Sequence, residues 1–112
     1  MNWTKQEIQV RYTKTGATSP RRAFVSEDGL FGIYKTYPNP MIAALERDFT
    51  VCHVPSGFSL SARHSNQRNA ELFAAIWRAL PIRWERKGVA AIKKDFDRMP
   101  VELKRWVNEV KG

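Results

Sequence analysis

From Glu7 to Lys14 the chain sets Ile8, Val10 and Tyr12 against Gln9, Arg11 and Thr13, the period-two alternation of a strand with one buried face. Thr15 to Pro20 is small and turn-forming, so a loop is expected there, ending on Arg21-Arg22. A hairpin is predicted from Arg22 to Tyr37 around Asp28-Gly29, with Phe24 opposite Ile33 and Phe24, Phe31 and Ile33 in the core. Pro38 and Pro40 cannot donate to a ladder and stop that strand, while Asn39 as cap and Pro40 in the first turn predict a short helix ending near Arg47-Asp48. The clearest hairpin then runs from Phe49 to Arg63 about Pro55-Ser56-Gly57. A register closing on Val54/Phe58 puts Cys52/Leu60 and Thr50/Ala62 on a core face. His53/Ser59, Val51/Ser61 and Phe49/Arg63 then fall on an accessible face.

Past this hairpin the apolar period lengthens to about 3.6. Asn66 to Leu80 carries Leu72, Phe73, Ile76 and Leu80 on one stripe until Pro81 stops it. Val89, Ile92, Phe96 and Met99 predict a second helix, and Leu103, Trp106, Val107 and Val110 after Pro100 a third. The order β-β-β-(short α)-β-β-α-α-α defines an α+β fold, a mostly antiparallel sheet of about five strands with helices packed on one face. At 112 residues the expectation is one domain, 1–112. In element order alone, with no residue carried across, this is similar to the sheet-plus-helix single-strand binders of the whirly type.

Composition narrows the chemistry. The lone cysteine, Cys52, excludes an internal disulfide, and Met1 to Lys5 is no basic-then-apolar leader, so a cytoplasmic location is expected. The apolar run Leu72–Trp77 is far shorter than the roughly 20 residues of a membrane span, so no membrane is expected. Cys52 and His53 are adjacent on a strand and point to opposite faces, so they form no thiolate–imidazole pair. His53 and His64 have no acidic or Cys ligand nearby, Ser56 lacks a G-x-S-x-G context, and the glycines build no phosphate loop. No catalytic residue, metal or cofactor is expected, and the chain is read as a non-enzyme.

Charge changes the picture most. Nineteen Lys and Arg against eleven Asp and Glu leave +8, a field that concentrates polyanions. Residues 1–37 hold six basic and three acidic residues, 38–64 two and two, and 65–112 eleven and six. The alternation above puts Arg11, Tyr34, Phe49, His53 and Arg63 on an open outer sheet face, with Arg21, Arg22 and Lys35 near one end. Cations interleaved with rings suit single-stranded nucleic acid, because bases stack while cations track phosphates. The reading is a small basic nucleic-acid-binding accessory protein, single-stranded DNA or RNA favoured. The alternative is a protein-interaction module, a small inhibitor of the mobile-element type, covering an acidic or nucleic-acid-binding partner or pairing with a second copy as a homodimer.

Overall fold

A computed structural model describes residues 2–12, 15–37 and 48–111, apart from the side chains of Arg63, Val110 and Lys111. Strands β1 (Trp3–Arg11), β2 (Thr18–Ser26), β3 (Phe31–Lys35), β4 (Phe49–His53) and β5 (Phe58–His64) form one antiparallel sheet in chain order. Helices α1 (Gln67–Ala79), α2 (Val89–Asp97) and α3 (Val101–Lys111) follow, giving the expected α+β class. The short helix expected to open at Pro40 falls outside the described residues.

Two strand starts differ from expectation. β1 starts at Trp3 rather than Glu7, and β2 starts at Thr18, inside the expected loop. Pro20 is tolerated there because it pairs with Gln9 of β1, while the β2–β3 ladder holds only Phe24↔Ile33 and Val25↔Gly32. The missing N–H therefore breaks no bond to a strand on its other side. The β2–β3 turn is built by Asp28, whose carboxylate accepts from Ser26 Oγ at 2.7 Å and from the Leu30 N–H at 3.1 Å, with Gly29 at φ 75°.

In the β4–β5 hairpin Val51 faces Ser61 as expected, but register shifts give Phe49↔His64, Cys52↔Ser59 and His53↔Phe58. The Val54/Phe58, Cys52/Leu60, His53/Ser59 and Phe49/Arg63 pairs are thus corrected. Each irregularity bends the strand and sharpens its twist, and the sheet curls until β1 meets the hairpin turn. The Arg11 N–H donates to the Gly57 carbonyl at 2.7 Å. Gly57 sits at φ 77°, and a Cβ there would lie 3.0 Å from the Gln9 carbonyl oxygen, so glycine serves both the turn and the close approach.

Curling buries the inside of the sheet without any helix. Ile8, Val10, Ala23, Val25, Tyr34 and Cys52 form a cluster of their own, with Val54 against it. Gly32 makes room for it: a Cβ there would stand 3.1 Å from Cys52 Sγ and Val54 Cγ2. The other face carries Phe31, Ile33 and Val51 under Ala70, Ala74 and Trp77 of α1, with Ile82, Trp84, Ile92, Met99 and Val107 completing this larger core. The expected open face is therefore absent over β3 and β4. Val25 and Tyr34 point into the curl, and Phe49, Val51 and His53 point toward the helices.

The helix stripes also shift. Asn66 caps α1, its side-chain oxygen accepting from the Asn69 N–H at 2.8 Å. α1 then buries Ala70, Ala74 and Trp77, while Leu72, expected in the core, is 57% exposed. Small alanines let the helix approach the sheet and one large indole fills the remaining space. Among the described side chains of α3 the buried one is Val107, with Leu103 packed against the core, and Trp106, expected to be buried, is 45% exposed.

Candidate nucleic-acid interface

α1 packs chiefly on β3, β4 and β5, and among the described residues Lys5 of β1 and Arg22 of β2 stay exposed on the helix-side face. Residues opposed in an antiparallel ladder project to the same face. Lys5 opposes Phe24 and Phe24 opposes Ile33; one step along, Glu7 opposes Arg22 and Lys35 opposes Phe49. Apart from Glu7, these residues line a groove of about 470 Å³, completed by Pro20, Arg21, Tyr34 and, from the first turn of α1, Gln67. Lys5, Arg22 and Lys35 are exposed, whereas Phe24 and Phe49 are half-buried in its floor. A cationic rim over an apolar, aromatic floor is the resulting chemistry.

Five of the residues expected at the interface, Arg21, Arg22, Tyr34, Lys35 and Phe49, line this groove. Their parts differ. Arg21 donates to the carbonyls of Lys35 and Thr36, and its guanidinium carbon lies 4.6 Å from the Tyr34 ring centroid. Arg21 thus fastens the end of β3. Tyr34 has one ring face covered and is buried, its hydroxyl pushed up to about 12 by desolvation, so it is no stacking platform.

Of the remaining three, Arg11 and His53 are not brought into the groove by the structure. Arg11 sits at the other end of β1 and donates to the Gly16 carbonyl at 3.2 Å. His53 is 1% exposed among the helices, its Nε2 against the Trp84 carbonyl and its Nδ1 2.8 Å from Ser56 Oγ. No polymer reaches it there. The Arg63 side chain lies outside the described residues. Sequence reasoning missed Lys5, Phe24 and Gln67. Lys5 was lost with the late start assigned to β1, and Phe24 was assigned to the closed core.

Both histidines are buried. His64 bonds Ser61 Oγ at 2.8 Å and packs its ring 4.3 Å from that of Phe73. Desolvation lowers the pKa of each below 6.5; for His53 the bond to Trp84 opposes the shift without reversing it. The folded chain therefore binds fewer protons than the unfolded chain, in which histidine titrates near 6.5. The stability from neutral imidazole is full above about pH 6.5 and is lost as pH falls below it. The urea midpoint is expected to fall between pH 7.5 and pH 5.5, and His64→Gln should flatten that dependence. An unchanged midpoint would show that the histidines are not held neutral.

Among the described residues no group of three or more His, Cys, Asp or Glu is placed to hold a metal ion. Among them too, no helix is long and apolar enough to cross a membrane. No family model, curated protein or solved structure matches the chain.

Proposed function

We propose that this protein binds single-stranded nucleic acid in the groove between β1–β3 and the start of α1, acting by binding rather than catalysis. The observation that carries the reading is the convergence of Lys5, Arg22 and Lys35 around Phe24 and Phe49. Cations track the phosphates while a base turns its face to a ring, an arrangement that a duplex, with its bases stacked inside, cannot adopt. The chain's net charge of +8 adds long-range attraction. A second reading, docking onto a partner protein, is supported by exposed Val101 and Trp106 on α3.

Fluorescence anisotropy with a short labelled oligonucleotide tests the first reading. Single-strand affinity should fall at least about tenfold between roughly 50 and 200 mM salt, because each neutralised phosphate releases condensed counterion. A duplex of the same sequence should bind more weakly. Failure to bind single-stranded DNA or RNA at the lower salt would discard the proposal.

A further inference from the structure

At the opposite end of β4 from the groove, α2 does not close onto the hairpin. Val89, Ile92 and Phe96, one side of that helix, stand across a cleft of about 370 Å³ from Phe58 and Leu60. The buried indoles of Trp77 and Trp84 line it between these walls. That volume suits a small molecule, since such sites run from roughly 300 to 1,000 Å³, and it is too small for a helix.

Two polar features give the apolar cleft a direction. The Trp84 carbonyl can only accept, so His53 Nε2 carries the proton and its Nδ1 accepts from the Ser56 hydroxyl at 2.8 Å. With its own proton committed, the Ser56 oxygen can only accept; it takes the Phe58 N–H at a long 3.4 Å and keeps a second lone pair for a donor in the cleft. The exposed Lys93, one position beyond Ile92 on α2, supplies a cation. The acid two residues on does not oppose it, because Asp95 is turned to Arg83, its carboxylate 2.9 Å from the guanidinium.

We infer that this cleft binds a small aromatic carboxylate carrying a hydroxyl or N–H donor at the end remote from its carboxylate. The ring system lies between the indoles and α2, the donor reaches Ser56 Oγ, and the carboxylate meets Lys93. This site is independent of the basic groove and of what occupies it.

Three related probes separate the contributions: 6-hydroxy-2-naphthoate, 2-naphthoate without the donor, and 2-naphthol without the carboxylate. In calorimetric titration of the full chain, the first should bind at least about tenfold more tightly than either of the others, the usual cost of one unmade polar contact. The indole N–H resonances of Trp77 and Trp84 should shift on binding. Lys93→Gln should remove the advantage over 2-naphthol, and Ser56→Ala the advantage over 2-naphthoate. Retained 2-naphthoate affinity in Ser56→Ala shows that the cleft is still formed. Absence of binding at millimolar probe, equal affinity for 2-naphthol, or indifference to Lys93→Gln would each overturn the inference.

Discussion

Replacing Phe31 by alanine is expected to cost about 3–5 kcal/mol of folding stability, from lost transfer energy plus an incompletely collapsed cavity. Phe31 is fully buried, and its ring meets Trp84 edge-on with centroids 5.1 Å apart. The Arg78 guanidinium lies 4.9 Å from the same ring centroid and also bonds the carboxylate of Asp28 in the β2–β3 turn. One side chain thus joins the sheet, α1 and the connector after it. Against a total of about 5–15 kcal/mol for an ordinary domain, the loss would leave the variant close to unfolding. Urea denaturation measures it, and a change below about 1 kcal/mol would show that the core is not centred on this ring.

The alternation that reveals a strand says which residues share a face, not whether that face is covered. Every residue of β4 from Thr50 to His53 is buried, although successive side chains point in opposite directions. Such a strand is sealed on both sides, one by helices and one by the curl that brings Gly57 to Arg11. The curl depends on register shifts near Val51, and a bulge leaves no mark in hydrophobic periodicity. For that reason Phe49, Val51 and His53 were read as accessible. The hairpin turn at Asp28-Gly29 and the Asn66 cap were legible because each rests on local chemistry that a few residues carry alone.

The groove was half legible for a related reason. Arg21, Arg22 and Lys35 stand out as charge at the end of a hairpin, and the excess of basic over acidic residues in 1–37 pointed to the same region. Lys5 and Phe24 become part of it only through the ladder pair that joins them, which required β1 to begin at Trp3. Gln67 enters from the first turn of α1, which packs chiefly on β3 to β5, a matter of how far the helix packing extends. His53 was misplaced because a histidine on a strand carries no sign of whether its ring nitrogens face water or a buried carbonyl. Here the Trp84 carbonyl, thirty-one residues away, supplies the partner.

Substituting Lys5, Arg22 and Lys35 together by glutamine should weaken single-strand affinity by a factor on the order of ten to a hundred near 50 mM salt. It should also reduce the salt slope by about two, since each lost phosphate contact removes about 0.7 from it. The three side chains are exposed, so the fold should survive, and an unchanged circular dichroism spectrum checks this. The rings act through a different physical effect. Phe24→Leu and Phe49→Leu keep apolar bulk in the half-buried floor but lose the π face. Each should cost up to about 1–3 kcal/mol of binding, the range for base stacking on an aromatic side chain, with the slope nearly unchanged. Charge and stacking are thereby read on separate axes, one in salt dependence and one in affinity at fixed salt. If a partner protein is the target instead, the groove variants should leave its capture intact. Trp106→Ala, on the exposed side of α3, should then abolish it.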